Sequence, residues 1–127
     1  IDRSGLVSSF NPFNSEILWE TDISNTIINY LFSIDGYLTL LTSKSIFIYN
    51  QNGDLIKFFN HSLENPISMF GINENLHIIS EKGISTYDLN SKSLLTFIKH
   101  NFNTELNLYF YNSNIFIKDN KHLYILK

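Results

Sequence analysis

Residues 27–59 read IINYLFSIDGYLTLLTSKSIFIYNQNGDLIKFF, four short apolar runs separated by polar breaks. The breaks fall at Asp35-Gly36, Ser43-Lys44 and Gln51-Asn52-Gly53-Asp54. Asp-Gly and Asn-Gly mark tight hairpins, because primed turns need positive φ, which Gly and Asn tolerate best. The runs therefore predict strands at Ile27–Ile34, Tyr37–Thr42, Ser45–Asn50 and Leu55–Phe59. Ile46-Phe47-Ile48-Tyr49 is apolar at consecutive positions, so both faces of this strand need cover. A sheet with one face in water would alternate polar and apolar residues instead.

The same series recurs along the chain. Phe10, Tyr49, Tyr87 and Leu126 follow one another at 39, 38 and 39 residues. Trp19, Phe58 and Phe97 are spaced 39 and 39, and Leu38, Leu76 and Ile115 are spaced 38 and 39. A second unit predicts strands at Ile67–Ile72, Leu76–Ser80, Ile84–Leu89 and Leu94–Ile98, with a turn at Asn73-Glu74-Asn75. A third starts with Glu105–Tyr111, Asn114–Asp119 and Leu123–Leu126, and two strands, Leu6–Phe10 and Glu16–Thr21, precede the first unit. No stretch keeps a helical period. The fold class is all-β, and four antiparallel strands in about 39 residues is the size of a β-propeller blade.

On this reading residues 1–24 end one blade, 25–62 and 63–101 are full blades, and 102–127 begin another. Closed propellers have roughly four to eight blades. The chain is thus expected to be a partial propeller, a fragment of a longer ring or one of several copies that complete it. Its terminal blade faces are then apolar surfaces awaiting further blades or another copy.

The bulk composition narrows the function. Of 127 residues 43% are hydrophobic and 17% charged, and twelve acids against nine bases give a net charge of −3. The charges are scattered, so the basic stripe of a nucleic-acid binder is missing. No run approaches a membrane span, and Ile1 to Phe10 lack the layout of a signal peptide. With no cysteine there are no disulfides or thiolate metal ligands.

The segment from Ile1-Asp2-Arg3-Ser4-Gly5 to Glu16-Ile17-Leu18-Trp19-Glu20 resembles the pyrroloquinoline-quinone-like propeller repeat. Gly5, Phe10, Asn11, Glu16, Leu18 and Trp19 match its pattern, and Ser15 stands where the family usually has Gly. Later units are eroded copies, with Phe58 and Phe97 in the Trp position. The resemblance implies that Trp19 and its counterparts lock one blade on the next and that Asn11 and Asp88 cap turns. Quinone-dependent members surround cofactor and calcium with acids, amides and many tryptophans, whereas this chain has one Trp and no clustered carboxylates. No cofactor and no catalysis are therefore expected. Non-enzymatic members include the periplasmic lipoprotein of the outer-membrane β-barrel assembly machinery, which implies a protein-binding scaffold whose partner is a barrel component. A cytosolic or eukaryotic interaction propeller fits the residues as well.

Candidate sites are sparse. His61, His77, His100 and His122 lie far apart, with no acid or second histidine at metal-ligand spacing, and His77 and His122 are expected to be structural. There is no nucleophile elbow and no phosphate loop. Tyr109 and Tyr111 are expected in blade core. The turns at Ser43-Lys44, Glu81-Lys82 and Asn120-Lys121 fall at equivalent places, so Lys44, Lys82 and Lys121 are the candidate partner-binding residues, as a weakly basic rim.

Overall fold

The structure, a computed structural model, describes residues 4–33, 35–72, 74–102, 106–111 and 114–126. Ile1, Asp2, Arg3, Ile34, Asn73 and Glu105, which the sequence reading uses, lie outside these residues.

The described residues form strands and turns with no helix. The first blade is a hairpin of β1 (Leu6–Phe10) and β2 (Ile17–Asp22). The second comprises β3 (Ile27–Phe32), β4 (Leu38–Thr42), β5 (Ser45–Tyr49) and β6 (Leu55–Asn60). The third comprises β7 (Pro66–Ile72), β8 (Asn75–Ser80), β9 (Gly83–Asp88) and β10 (Ser93–Lys99). The fourth has β11 (Asn107–Tyr111), β12 (Asn114–Lys118) and β13 (Leu123–Leu126). Within each blade the strands pair antiparallel in chain order. Among the described residues this is a set of propeller blades without ring closure.

Each hydrophobic cluster occupies one seam. Val7, with half-buried Trp19 and Ile23, meets Ile27, Leu38, Leu40 and Tyr49 between the first two blades. Ile46, Ile48 and Phe59 meet Met69, Leu76, Ile78 and Tyr87 between the second and third. Phe70, Ile79 and Ile84 meet Phe102, Ile115 and Ile117 between the third and fourth. β5 shows why its sequence does not alternate: Ile46 and Ile48 face one neighbour while Phe47 and Tyr49 face the other. Burying both rows removes more apolar surface from water than a one-faced sheet of that length does, at roughly 25 cal/mol per Å².

The turns between third and fourth strands of a blade share one device. The side-chain oxygen of Asn11 accepts from Phe13 N at 2.9 Å, that of Asn50 from Asn52 N and Asp54 N at 2.9 Å each, and that of Asp88 from Asn90 N at 2.8 Å. These Asx turns fix the hairpin locally. The chain then needs a left-handed residue, which is Gly53 (φ 85°) in the second blade but Ser15 (φ 59°) in the first. A Cβ in that region crowds the following carbonyl. Replacing Ser15 by Gly is expected to raise the unfolding free energy by up to about 1 kcal/mol, read from the denaturant midpoint; a fall would show that Ser15 is not strained.

Two of the three sequence registers survive in space. Leu38 opposes Tyr49, Leu76 opposes Tyr87, and Ile115 opposes Leu126. The Trp register does not. Ser9 opposes Trp19, Ile48 opposes Lys57, and Thr86 opposes Thr96, each beside a bulge that leaves Leu18, Ile56 or Leu95 as the extra residue. The counterparts of Trp19 are therefore Lys57 and Thr96, one residue before Phe58 and Phe97. A slip of one residue exchanges the faces of a strand. Phe58 accordingly lies on the face toward the first blade, tilted against Phe47 at 5.0 Å and 43% exposed, whereas Phe59 is buried in the next seam at 7%. The Trp19 position does carry a seam lock. Trp19 stacks on Tyr49 at 6.4 Å, and its Nε1 donates to the Gln51 carbonyl at 2.9 Å. Lys57 Nζ donates to the corresponding Leu89 carbonyl at 2.9 Å. What the two blades share is a donor reaching a turn carbonyl, not a ring.

Tyr109 and Tyr111, expected in blade core, lie on a blade face that has no neighbouring blade among the described residues. Both are exposed, Tyr111 at 69%. Tyr109, Phe116 and Ile125 oppose one another in a cross-strand row on the face of the fourth blade turned away from the third. The other face carries Ile115 and Ile117 into the seam.

Candidate interaction face

The turns between second and third strands, and the connections from one blade to the next, lie at the same end of the blades. Lys44 sits in the β4–β5 turn, Lys82 in β8–β9 and Lys121 in β12–β13, and all three are exposed. Their equivalence extends to backbone contacts. His61 N donates to the Lys44 carbonyl at 2.9 Å and His100 N to the Lys82 carbonyl at 3.0 Å. Each turn is also held by a side-chain oxygen at its start. Thr42 Oγ1 donates to the Ser45 carbonyl at 3.1 Å, and Ser80 Oγ to the Gly83 carbonyl at 3.2 Å. Asp119 Oδ1 accepts from Lys121 N at 2.8 Å and His122 N at 2.6 Å.

The three lysines do not present three equal charges. Lys82 pairs with Glu64, and the ammonium holds the Glu64 carboxyl below the usual range while its own pKa is raised. Both side chains are solvated, so the pair adds little stability. Beside it Glu81 accepts from Asn65 Nδ2 at 3.0 Å. With Glu64 and Glu81 beside Lys82 the middle turn carries one net negative charge, whereas Lys44 and Lys121 have no ion pair among the described residues.

The histidines divide by position in the repeat. His61 is buried on the connection after β6. Its Nε2 lies 2.9 Å from the Thr42 carbonyl, and Nδ1 accepts from Leu63 N at 3.3 Å. Those partners call for the neutral ring protonated at Nε2, and burial pushes its pKa down. His77 is structural as expected: Nδ1 meets Thr86 Oγ1 at 2.8 Å, the ring stacks on Phe70 at 4.7 Å, and burial lowers its pKa too. In the unfolded chain both bind a proton near pH 6.5. Their contribution is complete above that pH and is lost as pH falls through it, by up to about 1.4 kcal/mol per pH unit for each group. Unfolding free energy measured from pH 8 to pH 5 is expected to drop below about 6.5, and a His61→Gln, His77→Gln variant to flatten that drop. An unchanged slope in the variant would place the titration elsewhere.

His122 departs from expectation. It is exposed on the turn rather than structural, with Nδ1 3.7 Å from Asp119 Oδ1 and its ring 5.8 Å from Tyr124. Asp119 and His122 are three residues apart, an acid–histidine spacing that the sequence reading passed over. The Asp119 carboxyl is kept below its usual range, first by the Lys121 amide. It is buried and also receives the Tyr124 hydroxyl at 3.3 Å. His100, at the register of His61, is exposed and packs edge-on against Phe102 and Tyr124, both at 4.7 Å. His100, Asp119, His122 and Tyr124, with Lys99 and Lys121, line an open cleft of about 660 Å³ between the third and fourth blades.

Among the described residues no three metal-binding side chains cluster.

No family model matches the chain, and no curated protein matches it in sequence. Solved structures do resemble it. The Neurospora crassa Pan2 WD40 domain is 16% identical with a TM-score of 0.74, over 98% of this chain and 40% of that one. BamB from Moraxella catarrhalis is 14% identical with a TM-score of 0.72, over 92% of this chain and 38% of that one. Kluyveromyces lactis Hsv2 is 21% identical with a TM-score of 0.63, over 82% of this chain and 33% of that one. The chain thus spans well under half the length of the structures it resembles. At these identities the likeness shows architecture: the chain is a partial β-propeller.

Proposed function

We propose that this chain is part of a non-catalytic protein-binding scaffold whose contacts are made by the blade end carrying Lys44, Lys82 and Lys121. The observation that carries the reading is the division of surfaces. Strand faces are consumed by seams, while the blade-end turns are pinned by Thr42, Ser80 and Asp119 yet keep their side chains in solvent. Rigid turns on a β frame lose little conformational entropy when a partner docks. The outer faces of the first and fourth blades, with Phe10 and Tyr109, are covered by remaining blades or by another copy.

The finer assignment is a periplasmic scaffold in outer-membrane protein assembly, within the pyrroloquinoline-quinone-like repeat family. The Trp19 seam lock and the Asn11 turn cap support it, as does the likeness to BamB. The likeness to Pan2 and Hsv2 favours a cytosolic or eukaryotic interaction propeller as the second reading. Affinity capture of the full-length protein from gently solubilised cells separates the two. Recovery of an outer-membrane barrel component supports the periplasmic reading, and soluble partners alone support the second. Partner affinity that survives charge reversal at Lys44, Lys82 and Lys121 together would remove the proposed contact face.

A further inference from the structure

The two complete seams should look alike at this blade end, and they do not. Between the second and third blades His61 is tucked onto the Thr42 carbonyl, Lys82 is neutralised by Glu64, and the register position of Tyr124 is the small, buried Ser85. Between the third and fourth, the Tyr124 ring occupies that position. His100 packs against it instead of tucking under, and His122 flanks it from the turn. Lys99 and Lys121, one from each blade, line the same cleft without an ion pair among the described residues. The acid of the cleft, Asp119, is buried and turned to two backbone amides and the Tyr124 hydroxyl. Among the described residues, what remains for a ligand is two ammonium groups, two imidazoles and an aromatic floor of Tyr124 over buried Phe102.

We propose that this cleft receives an acidic linear peptide of a partner protein, with carboxylates on Lys99 and Lys121 and an apolar side chain against Tyr124 and His100. The inference rests on the scaffold reading and names the chemistry of its partner. Charge complementarity selects the acidic sequence, because opposite charges steer encounter and like charges are rejected. The rings add a place for one apolar side chain, which favours a peptide over a bare anion.

The test is fluorescence polarisation of the full chain with a labelled Glu/Asp-rich peptide holding one Phe, against the same peptide with Lys and Arg for its acids. The acidic peptide is expected to bind, more weakly as ionic strength rises. Lys99→Glu with Lys121→Glu should reduce affinity about tenfold or more, the combined effect of two reversed contacts. Lys92→Glu, in the β9–β10 turn at the opposite end of the blade, should leave it unchanged, and thermal melting should show all variants folded. Equal affinity for both peptides, or indifference to the double reversal, would overturn the proposal. So would an equal loss with Lys92→Glu, or binding of tripolyphosphate without any peptide. If capture recovers protein partners while the acidic peptide fails, the cleft assignment falls and the scaffold reading stands.

Discussion

Replacing Phe70 by Ala is expected to lower the unfolding free energy by about 3–5 kcal/mol, the usual cost of truncating a buried Phe. Phe70 is 1% exposed, packs with Ile79, Ile84, Ile115 and Ile117, and stacks on His77. Removing the ring forfeits its transfer from water, leaves a void between two sheets, and strips the half-buried imidazole of the surface it lies on. The seam cannot collapse easily, because strand pairing on both sides fixes the spacing. Phe32, also on the first strand of a blade, is 69% exposed, so Phe32→Ala should cost under about 0.5 kcal/mol. Equilibrium denaturation with an unchanged denaturant slope measures both. A Phe70→Ala loss below about 1 kcal/mol would mean the third seam is not packed as described.

The second large effect is expected from a single methyl group. Gly53 holds φ at 85°, and a Cβ there would lie 2.6 Å from Cγ of Trp19. Gly53→Ala therefore meets left-handed strain of about 1–2 kcal/mol and overpacking of about 1–3 kcal/mol. Together they should destabilise by about 2–5 kcal/mol. The two causes can be separated. In a Trp19→Ala background the ring is gone, and the same substitution should cost only the backbone strain of about 1–2 kcal/mol. A coupling energy near zero in this double-mutant cycle would show that Gly53 is required by its turn alone, not by the neighbouring blade.

The repeat was legible because the large apolar residues of a two-faced sheet must recur wherever the sheet does. Leu38, Leu76 and Ile115 kept their register because the second strand of each blade pairs regularly with the third. The Trp register slipped because the turn before the fourth strand is one residue shorter in the second blade. Five residues lie between Tyr49 and Leu55, against six between Phe10 and Ile17 and six between Tyr87 and Leu94, while the bulge is common to all three. At 38 residues from Trp19 stands Lys57, which does not look like a tryptophan; their likeness is a donor aimed at a carbonyl. The Lys44, Lys82 and Lys121 turns could be placed from spacing alone. That Lys82 is matched by Glu64, eighteen residues earlier, could not. The cleft at His100 and Tyr124 was hidden for a related reason: it exists only where two blades meet, and its marker is a departure from the repeat.

Because each hydrophobic cluster spans one seam only, the blades form a linear chain of nearest neighbours. In such an array stability is close to a sum of unit and junction contributions, and structure is lost from the ends inward. Amide exchange should then be slowest in β4, β5 and β8, whose blades are flanked on both sides, and fastest in β1 and β13, which fray first. A substitution in one junction should change protection there and outward from it, while the far junction barely responds. The molecule behaves mechanically as a short stack rather than as one indivisible core.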